Sequence, residues 1–577
     1  MIESNMQSKR LSILNPQGEE AEYKILPNVA VHDLGLDLIC KKLSAKEQEQ
    51  EMIKRIMARM TANPKVTQYR CDVFSDILNF PEMRNRMMEL LDQVDFLRDY
   101  GSFKRDYDES VGTWDLLHRL DEIKDYIQCV EAIFECLSGV ELQSEGLINL
   151  RHYVEELYHD HGFAELKKDI ANLKATTSNL KSVTVGINLN DRFEADGIGL
   201  ISVNSKYFTK SNIISNFCDT LSKKDNIKDT TEWNDNYKFH PVLEEQIQGL
   251  DVLGHAGMVK TVSTNPVMRA GIAAIPAGDS SEDMMRYMDK IVNHMLSTTV
   301  KKLKELLSKH VTISIQDITR LIPEFVYYIR WAEYIEFLNE KGMKFCKAEI
   351  SKENTDRRCM YARGIYNLKL AFSVIKHGEE IVTNDLDFDE EHRVYILTGA
   401  NRGGKTTITQ AIGQLFVLAQ GGIYVPGNEF EFHPVDCIYT HFPADEDKTM
   451  DLGRLGEECT RFRELYRESS KNSLLLLNET FSTTSFEEGY YIACDAVKAI
   501  LSKDVRTIYN THMHKLAYEL EEINKDVCNG KAVSLIVEAE GGKRSYRVKV
   551  APPEGLSYAR DIAEKYGVTY ELLTEES

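Results

Sequence analysis

The sequence has no long apolar run. Stretches such as Leu415 to Ala419 fall far below the roughly 18 residues that a membrane-spanning helix requires, so no membrane partner is expected. The opening residues MIESNMQSKR carry no apolar h-region, and no secretory leader is expected either. Paired cysteines are also missing. The eleven cysteines, an odd number, are scattered from Cys40 to Cys528 and never stand as C-x-x-C. That pattern argues against a disulfide framework or a zinc ribbon and for a reducing, cytoplasmic location. Basic charge is in deficit, with 70 Lys plus Arg against 91 Asp plus Glu and a formal net charge of -21. A globally basic nucleic-acid binder is thereby disfavoured, while a local basic strip stays open. Fixed-period repeats and low-complexity tracts are absent as well.

What is present is enough chain for several cores. The 577 residues are 42% apolar and 28% charged, about four times the length of a typical domain. Up to about Glu340 the dominant period is helical. Ile53, Ile56, Met57 and Met60 fall at i, i+3, i+4 and i+7, which predicts one apolar helix face. Leu116, Leu120, Ile123, Ile127, Val130, Phe134 and Leu137 alternate steps of four and three, a heptad seam. It reads either as a long rod packed on another helix or as one side of an ordinary bundle. Residues 182 to 212 break the pattern with alternating β-branched residues around Asn190-Asp191 and Gly197, which predicts a strand-rich insertion. Helices are expected again after Asp283 and from Ser314 to Asn339.

After about Tyr361 short apolar runs alternate with helical segments: Val394 to Leu397, Leu474 to Leu477 and Thr507 to Tyr509. Runs buried on both faces suit the sheet of an α/β core. The first of them leads into Gly399-Ala400-Asn401-Arg402-Gly403-Gly404-Lys405-Thr406, which satisfies G-x-x-x-x-G-K-[ST]. Glycines let the backbone curl so that successive N–H groups point at phosphates. Lys405 supplies a charge for the β- and γ-phosphates, and Thr406, followed by Thr407, a hydroxyl for Mg²⁺. The helix TTITQAIGQLFVLAQ then presents its N-terminus to the anion.

A second phosphate-handling strand should be apolar and end in acids. Ser473 to Glu479 fits, and Glu479 is placed to orient an attacking water as general base. The preceding position, where an Asp would hold the metal's water shell, is Asn478. A third strand, RTIYN, leads to Thr511-His512. His512 is either a structural histidine or one that reaches the γ-phosphate. Asn524-Lys525-Asp526 misses the guanine-reading N-K-x-D, no zinc-protease pattern includes His512 and His514, and no G-x-S-x-G elbow occurs.

Taken together, TGANRGGKTT, GGIYVPGNEFEFHPVDCIYT, SLLLLNETFSTTSFEEG and YNTHMHKLA resemble the ATPase domain of the MutS family of DNA mismatch-repair proteins, ABC-type ATPases that work as dimers around DNA. Asn401, Tyr424-Val425-Pro426 and Phe481 to Ser485 carry further resemblance. In MDLGRLGEE, Gly453 and Arg454 match best the signature segment that reaches the partner's ATP. Residues 34 to 97, with Tyr69-Arg70 and Val73, resemble the family's helical core, which makes the heptad seam a lever and the insertion a clamp.

The fold so implied is multidomain: an N-terminal segment over 1–33, then an α-helical core with long lever helices over 34–360, including a small strand-containing clamp insertion at about 180–280. An α/β ABC-type P-loop ATPase domain over 361–577 follows. The resemblance implies ATP and Mg²⁺ as cofactors, Glu479 and His512 as catalytic residues, and nucleotide contacts from Gly399 through Thr407 with Gly453 and Arg454. Thr406 and Asn478 would face the metal. The implied partners are a second copy of the chain and duplex or branched DNA without mismatch preference, because no mismatch-reading module with a Phe-x-Glu wedge is expected. Two further departures are Asn478 for the family's Asp and Leu455 where a serine would contact the partner's γ-phosphate. The alternative is an ATP-responsive scaffold that binds proteins and not DNA. Residues 205 to 240 favour it, because lysines such as Lys223 and Lys224 are interleaved with acids such as Asp219 and Asp225.

Overall fold

A computed structural model describes residues 11–93, 113–177, 182–189, 195–204, 240–241, 321–351, 359–399, 403–443, 453–527, 529–540, 543–553, 564 and 566–575. No helix among them is long and apolar enough to cross a membrane. The chain divides into two compact units. One comprises Met1–Leu91, Ala132–Val154 and Gln316–Ser577, and the other Asp92–Glu131 and Glu155–Ile315.

In the first unit, helix α1 (Leu36–Leu43) is followed by α2 (Glu47–Met57), α3 (Pro64–Asn79) and, much later in the chain, α5 (Leu321–Glu340). Asn63 caps α3 by accepting from the Lys65 N–H, with Pro64 at the first helical position where no N–H is needed. The helical face expected from Ile53 to Met60 is realised only in part. Ile53 and Met57 are buried and Ile56 is half-buried, but α2 stops at Met57. Met60 instead sits in the two-residue strand Arg59–Met60, antiparallel to Lys24–Ile25. The burial demand of Met60 is met by a strand, which a helical period does not distinguish.

Helix α4 (Thr113–Leu137) contains the heptad seam. Ile123, Ile127, Val130 and Leu137 are buried, and Phe134 is half-buried. Tyr126, Cys129 and Ile133 are buried too, so the apolar stripe is wider than a two-position seam. The side chains of Leu116 and Leu120 lie outside the described residues. Within the second unit, Tyr126 packs edge-on against Phe163, and Lys167 pairs with Glu131. The strand-rich insertion appears as an antiparallel pair, Ser182–Leu189 with Ala195–Asn204, joined by His240–Pro241. The helices expected after Asp283, the mixed-charge segment 205–239 and residues 314–320 lie outside the described residues.

The C-terminal third of the chain builds a six-stranded sheet from β1 (His392–Thr398), β2 (Ile438–His441), β3 (Leu474–Asn478), β4 (Arg506–Asn510), β5 (Lys531–Glu540) and β6 (Lys543–Val550). The spatial order is β2-β3-β4-β1-β5-β6. Every neighbouring pair is parallel except β5 with β6. The apolar runs read from the sequence are the central strands, and Leu474 to Leu477 are wholly buried. Each such leucine contributes roughly 1.5–3 kcal/mol of burial. Because β1 stands between β4 and β5, the carboxyl ends of the central strands form the crevice in which α/β sheets place ligands.

Helix α6 (Lys405–Gln420) leaves β1 and is buried along most of its length. Its glutamines donate mainly to the N-terminal segment of the same unit: Gln410 and Gln414 to the carbonyls of Asp33 and Leu34, and Gln420 to that of Thr61 and also to that of nearby Val435. Arg70, 2% exposed, donates to the carbonyls of Leu14 and Gln420. Just after the helix Gly422 takes φ +85°, and a Cβ there would lie 2.7 Å from the Arg70 backbone carbon. Only glycine allows that approach.

Candidate functional site

The site is assembled at the carboxyl ends of β1, β3 and β4. Gly399, the first residue beyond β1, has φ +145°, and a Cβ on it would stand 3.0 Å from Val537 Cβ. The loop then leads through Gly403 and Gly404 into the first turn of α6, which carries Lys405, Thr406 and Thr407. Ala400, Asn401 and Arg402 lie outside the described residues. Lys405 is nearly buried, and its Nζ donates to the Gly399 carbonyl at 2.9 Å and lies 3.4 Å from His512 Nδ1. Burial pushes the ammonium pKa down while Glu479 acts the other way. A cation held over its own loop in this manner is poised to exchange a neutral carbonyl for an anionic oxygen.

Parallel pairing of β3 and β4 sets Asn478 opposite Asn510. Thr406 Oγ1 donates to Asn478 Oδ1 at 3.1 Å, and Asn510 Nδ2 donates to the same oxygen. Asn510 Nδ2 also lies 3.5 Å from Thr406 Oγ1. Asn510 Oδ1 is buried with no hydrogen-bond partner among the described residues. The next residue, Glu479, is held at φ +53°, a left-handed conformation that costs a non-glycine residue energy. Its N–H donates to the Asn510 carbonyl at 2.8 Å, and its Oε1 lies 2.9 Å from His512 Nε2. His512 is positioned through Thr511, whose N–H donates to the Leu397 carbonyl of β1.

Gly403 to Thr407, Glu479 and His512 line one wall of a cleft of about 590 Å³. Tyr366, Leu370, Val374 and Tyr546 supply an apolar and aromatic wall. Gly403 to Thr407, Glu479 and His512 are therefore brought together as expected, with Asn478 directly behind Thr406. Gly453 and Arg454 are not. They begin α7 (Gly453–Glu468), are exposed and do not line this cleft.

Sequence reasoning missed two structural partners of the site. Asn510 stands two positions before His512, and nothing local marks it, because its role comes from strand register. His441, at the end of β2, was also passed over. Its Nε2–H donates to the Glu458 carbonyl of α7 at 3.3 Å, leaving Nδ1 to accept the Thr480 hydroxyl at 3.0 Å. Burial, aided by the Arg461 charge, pushes this ring down to about 4, so it is neutral. The carbonyl of Thr480 in turn accepts from Tyr509 at 2.7 Å, and Phe481 packs edge-on against Phe462 of α7. The residues after Glu479 are thus tied to α7 through two polar contacts of His441, one buried and one partly buried, and one aromatic pair.

Residues 395–574 match the profile of MutS domain V. Among curated proteins, the chain is 31% identical over 199 residues to the DNA mismatch repair protein MutS of Prochlorococcus marinus (strain MIT 9301), covering 34% of this chain and 21% of that protein. It is 26% identical over 305 residues to Endonuclease MutS2 of Caldicellulosiruptor bescii, covering 52% of this chain and 38% of that one. A third relative, MutS of Chlorobium phaeovibrioides, is 30% identical over 201 residues, covering 35% and 23%. The matches thus span well under half the length of these relatives. The domain-V match lies on the strands and loop that build the cleft, and over that region the chain is similar to proteins of the MutS family.

Proposed function

We infer that the cleft binds ATP, that the chain hydrolyses it, and that nucleotide state controls a grip on DNA in a homodimer. The observation that carries this reading is the convergence of Lys405, Thr406, Asn478, Glu479 and His512 on one crevice at the strand ends. The loop from Gly399, with Ala400, Asn401, Arg402, Gly403 and Gly404, offers N–H groups to the phosphates, as does the first turn of α6 at Thr407. Lys405 leaves the Gly399 carbonyl for the β- and γ-phosphate oxygens. Thr406, with Asn478 behind it, would face a divalent cation, which would supply positive charge to the phosphate oxygens. Glu479 orients and deprotonates the attacking water, and His512 fixes its carboxylate by the 2.9 Å contact.

In the dimer, Gly453 and Arg454 reach the partner's nucleotide. Closure then moves α7, and the His441 and Phe481 contacts couple it to the segment after Glu479. ATP favours the closed state because its γ-phosphate makes contacts in that state only. Residues 361–577 serve as the ATPase domain, and 34–360 as core, lever and clamp. DNA, duplex or branched, is held through its phosphates. Relatives named for DNA mismatch repair and as an endonuclease support DNA as the partner class. The net charge of -21 favours a second reading, a protein-binding scaffold governed by the same nucleotide.

Lys405→Ala is expected to lower ATP affinity at least about a hundredfold, measured by calorimetry. Unchanged affinity would refute the phosphate-loop assignment. DNA retention by the wild type at low salt, falling steeply as salt is added, separates the clamp from the scaffold.

A further inference from the structure

The amide pair at the ends of β3 and β4 determines how this cleft treats a divalent cation. A cation beside phosphates in such a loop draws on the hydroxyl after the loop lysine and on a charged carboxylate at the neighbouring strand end. Here the hydroxyl is present but the carboxylate is not. Asn478 Oδ1 takes the Thr406 hydroxyl at 3.1 Å and the Asn510 amide as well, so its acceptor capacity is spent on neutral protein donors. Asn478 and Asn510 are 6% and 0% exposed, and their registered strands hold them side by side. The acids lining the cleft are Glu379, Glu380 and Glu479, and the last is engaged by His512.

One feature still fits a hydrated cation. Asn510 Oδ1 is a buried acceptor with no hydrogen-bond partner among the described residues, and a water in a cation's shell is a donor able to satisfy it. The donor set therefore has the shape for a cation's waters without the charge that holds the ion. Removing an outer-shell partner of a metal typically weakens its binding about 10–100-fold.

We propose that the Asn478–Asn510 pair makes this a cation-weak nucleotide site, in which ATP is held by the loop N–H groups and Lys405 and gains little affinity from Mg²⁺. Asn478 and Asn510 are its specificity-determining residues, because they put neutral amides, and no charge, at the two adjacent strand ends beside Thr406. The proposal rests on the nucleotide reading above, and one experiment separates the two.

ATP binding to the full chain is measured by calorimetry in excess Mg²⁺ and in EDTA. The wild type is expected to differ by less than about threefold between the two, and Asn478→Asp to bind about 10–100-fold tighter in Mg²⁺ than in EDTA. A wild-type dependence of about tenfold or more overturns the proposal while leaving nucleotide binding intact. No ATP binding under either condition overturns the nucleotide reading and the proposal with it. A buried acid at 478 adjoins Glu479, so Asn510→Asp, which puts the charge one strand over, serves as the second variant. Thermal melts identify which variants fold, and a folded acid variant with no gain in Mg²⁺ dependence also overturns the proposal. If neither variant folds, the wild-type comparison alone decides.

Discussion

The two ends of helix α6 have opposite characters. At its N-terminus Lys405 rests on its own loop, Glu479 is held in a left-handed conformation, and Asn510 keeps a buried acceptor with no donor among the described residues. At its C-terminus the polar groups are closed mostly by chain from far away in sequence. Gln420 donates to the Thr61 carbonyl and exchanges bonds with nearby Val435, Arg70 caps the carbonyls of Leu14 and Gln420, and Tyr327 donates to the Gly421 carbonyl. A strained backbone and an unmet acceptor thus stand beside the cleft, while the other end is closed by hydrogen bonds formed on folding. One helix is both a wall of the cleft and an anchor for the N-terminal segment.

The sharpest way to break this contrast is at the open end. Glu479→Gln is expected to slow ATP hydrolysis about 10²–10⁴-fold while leaving ATP affinity and thermal stability near those of the wild type. Steady-state phosphate release beside a binding isotherm measures both. Unaffected hydrolysis would remove Glu479 as the base, and a large stability loss would make the open end structural after all.

At the closed end the expected pattern reverses. Arg70→Ala strips donors from two buried carbonyls and leaves a cavity, at a cost of about 3–5 kcal/mol, read by urea unfolding. ATP affinity, measured at a temperature where the variant is folded, should stay within about twofold, because no group of the cleft touches Arg70. A parallel fall in affinity would mean that the two ends are coupled and the contrast too simple.

The smallest effect concerns the strap that crosses the closed end. Glu324 of α5 accepts from the Ile13 N–H and the Ser12 hydroxyl. Burial pushes its carboxyl up to about 7 against those bonds. As pH rises, the unfolded chain gives up this proton first, so the group's contribution to stability is complete at pH below the ordinary carboxylate value. It is lost progressively as pH climbs to about 7. Relative to wild type, Glu324→Gln should therefore gain stability by on the order of 3 kcal/mol between mildly acidic and mildly alkaline pH. Unfolding curves that stay parallel across that range would show the carboxyl ionised in the folded chain.

The legibility of the protein from its residues follows the same division. The loop from Gly399 to Thr406, the run Leu474 to Leu477 and the helix after Lys405 were readable because each is contiguous, and its chemistry depends on spacing along the chain. The pairing of Glu479 with His512 was half legible, since both end apolar runs but nothing local states that those runs are neighbours. Met60 was misplaced because a buried methionine satisfies a helical period and a strand edge equally well. Asn510 and His441 were invisible, because an asparagine or histidine in a strand acquires meaning only from the residue set across from it.

The residue order by itself therefore determined a loop with a phosphate-binding pattern, an apolar α/β core and a likeness to the MutS family, all carried by local spacing and hydrophobic period. Tertiary packing alone decided which side chains meet. Strand order and register put Asn510 on Asn478 and His512 on Glu479, and helix packing put Arg70 against the end of a helix some 350 residues away in the chain. Contacts at such separation form only when the sheet and helices pack, since no local interaction holds those residues together in the open chain.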